Sequence, residues 1–122
     1  MSPAVWIVAP QEAEVPLPPM TKISCVAILT AAEGKEAELA DRLTDLIAAA
    51  ADETGTEIYS VHTDPDDPMI FTFFELYTDQ EAVEVHGKSD AMRQAMRALG
   101  GLLAGRPEIR HLTPLAAKGL DL

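Results

Sequence analysis

The stretch that decides the fold is Met69–Tyr77, MIFTFFELY. It is rich in aromatic and β-branched residues, which favour strands. Its side chains are apolar on both faces of an extended chain, with Ile70, Phe74 and Leu76 on one face and Phe71, Phe73 and Tyr77 on the other. This pattern predicts a strand buried on both sides.

Three further segments predict strands. Ile23–Thr30 (ISCVAILT) and Glu57–Thr63 (EIYSVHT) precede the central stretch, and Glu108–Ala117 (EIRHLTPLAA) follows it. Asp64–Pro68 has turn composition, so we expect it to join the second and third strands as a hairpin.

A long helix is predicted between the first two strands, over Lys35–Glu53. Its apolar residues recur at helical spacing and form one stripe of Leu39, Leu43, Leu46, Ile47 and Ala50. Glu33-Gly34 predicts the turn before it, and we expect Gly55 to end it as the glycine that follows a helix.

A second helical region follows the third strand. Thr78–Glu81 matches a capping box, and Gly87 predicts a break after which Ser89 caps a new segment, Asp90–Leu103. One face of that segment carries Met92, Met96, Leu99 and Leu103. Gly100-Gly101 should weaken its last turns.

The predicted order is β-α-β-β-α-β, the split βαβ arrangement of an α+β, ferredoxin-like domain. Such a domain has a four-stranded antiparallel sheet with its helices on one face. Because the strands are apolar on both faces, the second face needs a cover. We expect the same face of a second copy to supply it, which predicts a homodimer.

The composition limits the classes of binding partner and the compartment that we expect for this protein. The 122 residues carry a formal net charge of −11, which argues against binding to nucleic acid or to an anionic membrane surface. No stretch approaches the roughly 20 apolar residues of a membrane span. The single cysteine, Cys25, lies in an apolar strand without a second thiol, so we expect a buried core thiol and a reducing, cytoplasmic compartment.

Residues 1–21 differ from the rest because they hold five of the nine prolines. We expect them to form an arm that docks on the domain or on a partner subunit, and residues 22–122 to form the domain. Met20 is an alternative start, which would make the arm dispensable.

Over about residues 22–119 the chain resembles the antibiotic biosynthesis monooxygenase family. The motifs that carry the resemblance follow one another in order: Glu33-Gly34-Lys35, Glu53–Val61 ending in Tyr-x-Val, Asp66-Asp67-Pro68, Phe74–Asp79 followed by Ala82 and His86, Ser89, Pro107-Glu108 and Lys118-Gly119. The resemblance implies a dimeric αβ-barrel. Several members oxygenate phenols, anthrones or quinols with O₂ and without metal, flavin or haem, which implies no cofactor here.

Cofactor-free oxygenation needs a base that deprotonates the substrate, and His86 is the candidate. Glu75 lies in a very apolar strand and therefore needs a partner, so we predict that it pairs with His86. An architectural role for the same pair, which would hold the second helix to the sheet, is about equally compatible with the sequence.

The predicted substrate contacts are Tyr59, Phe71, Phe73, Met92 and Met96. Core packing is the alternative for the two phenylalanines and the two methionines. Tyr77 could make the same hydrogen bond as Tyr59, but for Tyr77 we favour an ordinary strand aromatic with its hydroxyl at the rim.

Other chemistries fit less well. The three histidines, His62, His86 and His111, lack metal-ligand spacing, and the aspartates of 64–67 lack the glycine and distal glutamate of a calcium loop. Haem-degrading relatives place a ligand histidine where this chain has Met96 and an asparagine where it has Ala27.

The predicted function is therefore oxidation of a small aromatic quinol or phenol by O₂. A dimeric module that binds a small apolar ligand without catalysis, or an isomerase or decarboxylase built on the same site, remain as alternatives.

Overall fold

The computed structural model describes residues 21–122, and the predicted arm lies outside these residues apart from Thr21. The helices and strands are, in chain order, β1 (Ile23–Thr30), α1 (Glu36–Ala49), β2 (Thr56–Asp64), β3 (Asp67–Tyr77), α2 (Gln80–Lys88), α3 (Asp90–Arg97) and β4 (Glu108–Leu112). No helix among them is long and apolar enough to cross a membrane.

The strands form one antiparallel sheet in the order β2-β3-β1-β4. This order confirms the predicted ferredoxin-like α+β fold, with β3 next to the centre. The second helical region is two helices, because Ser89 ends α2 and caps α3 by accepting a hydrogen bond from the Met92 backbone N–H at 3.2 Å.

The core lies between one face of the sheet and the helices. The stripe of α1 supplies Leu39, Leu43 and Leu46, which are almost completely buried. They pack with Leu29, Phe71 and Phe73 of the sheet and with Met92 of α3. This is the face on which Ile23–Thr30 and Met69–Tyr77 place their odd-numbered residues.

The opposite face of the sheet is less covered. Its centre carries Val26 and Ile28 of β1 and Ile70 of β3, which are half-buried, and Phe74, which is 36% exposed. Strand β3 is therefore apolar on both sides, as its sequence predicts.

The predicted end of the first helix was wrong. Helix α1 ends at Ala49 rather than Glu53, and Gly55 does not have the positive φ of a glycine that terminates a helix. The structure shows a different need for this glycine: a Cβ at position 55 would lie 2.5 Å from Cβ of Ala82 in α2. Close packing between two elements, not local backbone conformation, therefore requires glycine here.

Other boundaries also differ, and α3 ends at Arg97 rather than at the predicted Leu103. The cap of α2 is Asp79 rather than Thr78: its carboxylate accepts a hydrogen bond from the Ala82 backbone N–H at 2.9 Å. Strand β4 ends at Leu112 rather than Ala117. Its pairing with β1 ends where Leu112 lies opposite Ser24, and Pro114 has no N–H with which to continue the ladder.

Candidate active site

A row of four polar side chains crosses the helix-facing side of the sheet. Register places Tyr59 of β2 opposite Glu75 of β3, Glu75 opposite Cys25 of β1, and Cys25 opposite His111 of β4. Side chains that are directly opposite in neighbouring strands lie about 5 Å apart at Cβ. The fold therefore brings together residues from all four strands that are up to 86 positions apart in sequence.

This row forms the floor of a cavity of about 630 Å³ between the sheet and helices α2 and α3. That volume is typical of small-molecule sites. The residues that line it are mostly apolar and comprise Cys25, Ala27, Leu29, Leu46, Tyr59, Phe73, Glu75, Tyr77, Val83, His86, Gly87, Met92, Arg93, Met96, Arg97, Pro107, Ile109 and His111.

Helix α2 presents His86 to this cavity. Its Nδ1 lies 2.7 Å from Oε1 of Glu53, a residue of the loop between α1 and β2. The Thr56 hydroxyl donates to the same carboxylate oxygen at 2.8 Å. The other oxygen of Glu53 is buried without a hydrogen-bond partner among the described residues.

The predicted pairing of Glu75 with His86 is not the one that forms. Glu75 instead accepts a hydrogen bond from the hydroxyl of Tyr77, two residues along the same face of β3. Glu75 and His86 both line the cavity, but Glu75 bonds to Tyr77 and His86 bonds to Glu53. Glu53 was missed because nothing in the sequence indicates that the residue after α1 meets the end of α2.

Two tyrosine rings flank His86. The Tyr59 ring lies edge-on at 4.8 Å between centroids, and the Tyr77 ring lies at 5.3 Å. Burial, together with the nearby Glu75 carboxyl, raises the pKa of both tyrosines. Both hydroxyls therefore keep their protons and act as donors across the neutral pH range.

The two tyrosine hydroxyls differ in availability. The predicted rim position of Tyr77 is wrong, because this residue is 1% exposed and its hydroxyl is committed to Glu75. Within residues 21–122, the hydroxyl of Tyr59 has only a weak contact with the sulfur of Met92 at 4.0 Å. A thioether is a poor acceptor, so Tyr59 can turn its hydroxyl to a ligand oxygen.

The other predicted contacts divide between cavity and core. Phe73, Met92 and Met96 line the cavity, Met96 with 47% of its surface exposed. Phe71 is not among the lining residues and packs in the core, which was the alternative for it. Arg93, Arg97 and His111 also line the cavity, although no sequence pattern marks them as site residues.

Cys25 is a buried free thiol, as predicted, although it also lines the cavity. Burial, with the neighbouring Glu75 carboxyl, raises the pKa of this thiol to about 11. A thiol that holds its proton at neutral pH is a poor nucleophile. Cys25 is therefore a poor candidate for a nucleophile.

Within residues 21–122, no group of three or more His, Cys, Asp or Glu side chains could hold a metal ion. The lining of the cavity combines the titratable side chains of Cys25, Glu75, His86 and His111 and two arginines with tyrosine hydroxyls and apolar walls.

Residues 23–98 match the family model described as antibiotic biosynthesis monooxygenase, which is more than half of the chain. The chain belongs to this family. The match spans β1 to the end of α3, so it includes Tyr59, Glu75 and His86 but not His111.

Solved structures agree with the family assignment. A protein of Pseudomonas aeruginosa is 29% identical, with a TM-score of 0.74 over 82% of this chain and all of its own. A Caulobacter crescentus protein, named provisionally as an antibiotic biosynthesis monooxygenase, is also 29% identical, with a TM-score of 0.75 over 80% of this chain and 93% of its own.

A more distant structure from Mycobacterium tuberculosis, 21% identical with a TM-score of 0.74 over 80% of this chain and 98% of its own, shares the fold. No protein with a curated description is detectably similar to this chain.

Proposed function

We propose that this protein is a cofactor-independent monooxygenase that oxidises a small aromatic quinol or phenol with O₂. The observation that carries the proposal is His86 in the wall of a largely apolar cavity, with its Nδ1 held by Glu53, which lies outside the lining. Membership of the family supports the same class of reaction.

In the proposed reaction His86 is the base. Glu53, as a carboxylate, accepts from Nδ1–H and so leaves the Nε2 lone pair for the substrate hydroxyl. When Nε2 takes the phenolic proton, the ring becomes positively charged. The Glu53 carboxylate 2.7 Å away stabilises that charge, and both side chains are largely shielded from water.

The phenolate that remains is electron-rich enough to pass one electron to O₂. The resulting radical and superoxide combine at a ring carbon that bears hydrogen, and the proton held by His86 completes a hydroperoxide. Loss of water from that carbon breaks the O–O and C–H bonds and leaves a carbonyl. One O₂ is consumed, one oxygen atom enters the product as a quinone oxygen, and the other leaves as water.

Tyr59 is the proposed hydrogen-bond donor to the substrate oxygen. Its raised pKa keeps it protonated while a phenolate forms beside it, so it stabilises the negative charge instead of competing for the proton. Phe73, Met92 and Met96 supply apolar walls for the ring. Glu75 holds Tyr77 in place and, through it, one side of the His86 ring.

The test measures O₂ uptake by the full-length protein with a panel of quinols, phenols and anthrones. We expect uptake above autoxidation for the wild type, and a loss of about 10²–10⁴-fold in kcat for His86→Ala, the usual contribution of a general base. His62→Gln is the matched control, because His62 lies outside the cavity lining and contacts Ser60.

The same variants separate this proposal from the ligand-binding alternative. If no substrate gives uptake above autoxidation and His86→Ala lowers the free energy of unfolding by about 1–3 kcal/mol, the cost of a buried partner left unpaired, the pair is architectural and the monooxygenase proposal fails. Turnover that is lost in a variant of near wild-type stability supports catalysis.

We also infer that the protein is a homodimer built through the less covered face of the sheet. Val26, Ile28, Ile70 and Phe74 form an apolar centre on that face. A second copy offers an equal and complementary apolar surface.

A further inference from the structure

We propose that the substrate carries an anionic substituent, such as a ring carboxylate, which is bound by Arg93 and Arg97 at the mouth of the cavity. The proposal deepens the function above and rests on it for the reaction, but the binding it describes can be measured without turnover. Its basis is the placement of two arginines on an otherwise apolar site.

The two arginines lie at the open end of the cavity. Both are exposed, as is their neighbour Met96, whereas Cys25 on the floor and Phe73, which also lines the cavity, are only 2% exposed. A ring that packs on this floor would therefore direct a substituent on its outer edge toward Arg93 and Arg97.

The two side chains are also neighbours on α3. Residues four apart lie on the same face of a helix, about 5–6 Å apart at Cβ. Two guanidinium groups at that spacing can bind one carboxylate together, and a guanidinium group can form bidentate hydrogen bonds with a carboxylate.

Neither arginine forms an ion pair with another residue in the part of the chain that the structure describes. Like charges at this spacing repel each other, so the pair costs stability unless a negative group joins it. Arg97 lies in the last turn of α3, where the helix dipole favours a cation, but Arg93 lies one turn earlier and gains little from that dipole.

The electrostatic setting makes the pair selective. The protein as a whole is strongly acidic, with a net charge of −11, so its overall field repels anions. Among the residues that the structure describes, Glu75 is the one acidic residue in the cavity lining, and it is buried on the floor and bonded to Tyr77. An anion is therefore favoured only where its charge lies beside the two arginines.

The test compares two stable ligands of equal shape, 1-hydroxy-2-naphthoate and its neutral amide, 1-hydroxy-2-naphthamide. Their dissociation constants for the full-length protein are measured by calorimetry under nitrogen. We expect the carboxylate to bind at least about tenfold more tightly than the amide in dilute buffer. The preference should shrink as salt rises from about 0.05 M to about 0.5 M, because salt screens exposed charges.

Variants locate the effect. The double variant R93Q/R97Q should lose the preference for the carboxylate and keep the affinity for the amide. Arg106→Gln is the matched control, since Arg106 is exposed but does not line the cavity, and it should keep the preference. Equal affinity of the wild type for both compounds, binding of neither, or a preference that survives in the double variant would overturn the proposal.

If the double variant did not fold, the wild-type preference and its salt dependence would still decide the matter. O₂ uptake is measured separately on the same preparation with a quinol that bears a carboxylate and with one that does not. Preferential binding without uptake would reject the monooxygenase function alone. Uptake without charge preference would reject the anionic substrate alone.

Discussion

Glu53 determines which nitrogen of His86 can meet a ligand. Its carboxylate is held by the Thr56 hydroxyl and lies against Nδ1, so the ring presents Nε2 to the cavity. The same contact fixes the ring orientation between Tyr59 and Tyr77. Glu53 is therefore a positioning residue for the proposed base.

Replacing Glu53 by glutamine tests this role. The amide is uncharged and can turn its NH₂ toward Nδ1, which would favour the wrong tautomer. We expect kcat to fall by about 10²–10⁴-fold with a smaller change in KM, as for other histidine-orienting carboxylates. The ¹⁵N chemical shifts of the His86 ring should change, while those of His62 and His111 stay as they are.

Glu57→Gln is the control for that experiment. Glu57 is near in sequence but lies on the surface, where it bonds to Lys22 and Thr78 and not to the cavity residues. It should leave kcat and the His86 shifts unchanged. Wild-type activity and an unaltered His86 tautomer in Glu53→Gln would show that Glu53 does not act through His86.

Cys25 gives a pH-dependent prediction. The pKa of its thiol is about 11 in the folded protein against 9.0 for an ordinary cysteine, so the unfolded chain loses this proton first. Its contribution to the free energy of unfolding is therefore complete below pH 9.0 and is lost as pH rises toward 11. Urea unfolding should show a steeper loss of stability between pH 9.0 and about pH 11 in the wild type than in Cys25→Ala.

Chemical modification provides an independent check of the thiol. Because iodoacetamide reacts with the thiolate, the native protein should be alkylated at Cys25 far more slowly than the urea-unfolded chain at the same pH. Equal rates in the two states would mean that the thiol is neither buried nor raised in pKa.

At this scale the sequence predicted identities better than partners. His86 and Glu75 both reached the cavity, and Cys25 was buried as expected. Their mutual pairing failed because Tyr77 is two residues from Glu75 on the same strand face, and a hydroxyl at that spacing is a nearer donor than a ring on another element. Arg93 could not be distinguished in the sequence from an ordinary solvent-facing residue of a short helix.

At the scale of elements, the site depends on how α2 sits against the loop after α1. The Gly55 carbonyl accepts a hydrogen bond from the Thr78 N–H at 2.9 Å, and Ala82 of α2 packs directly over Gly55. These contacts place the start of α2 beside the loop that carries Glu53. They therefore set the distance between Glu53 and His86, one and a half turns further along the helix.

Gly55→Ala should disturb this junction. The new Cβ would meet Cβ of Ala82 at 2.5 Å, so α2 must shift, and we expect a loss of about 1–3 kcal/mol in the free energy of unfolding, as for other overpacked sites. Because the shift moves His86 away from Glu53, kcat should fall as well. Thermal and urea unfolding measure the first effect and O₂ uptake the second.

Gly87→Ala is the matched control within the same helix. A Cβ there meets nothing within 4 Å, and alanine favours a helix over glycine by roughly 0.5–1 kcal/mol, so this variant should be more stable than the wild type. A stable Gly55→Ala protein would show that the junction can yield without cost.

Elements were predictable where the pattern was strong and local. The alternation of β3 and the stripe of α1 predicted their positions and their buried faces. The end of α1 was misplaced because Ala50 and Ala51 favour a helix as much as the residues before them, and only the turn into β2 stops it. The role of Gly55 was misread because its neighbour Ala82 is close in space but distant in sequence, so the contact between them leaves no local pattern.

At the scale of the whole molecule, the sheet is covered on one side by helices and has an apolar centre on the other. Because Phe74 is 36% exposed at this centre, burying it against a second copy is favourable. A stable dimer needs about 600–1,000 Å² from each partner, an area that one face of a four-stranded sheet can supply. The proposed dimer therefore follows from the amount and the position of apolar surface.

Phe74→Glu should convert the dimer to a monomer. The substitution puts a charge at the centre of the apolar face, and in a symmetric interface it faces the same patch on the partner, where both charges lose water without gaining a counterion. Val85→Glu is the control: Val85 is 53% exposed on α2, on the opposite side of the sheet, and its replacement should leave the assembly intact. Sedimentation equilibrium should give about twice the 13.1 kDa chain mass for the wild type and for Val85→Glu, and the single-chain mass for Phe74→Glu. A wild type that sediments as a single chain, or a Phe74→Glu variant that stays paired, would place the interface elsewhere or remove it.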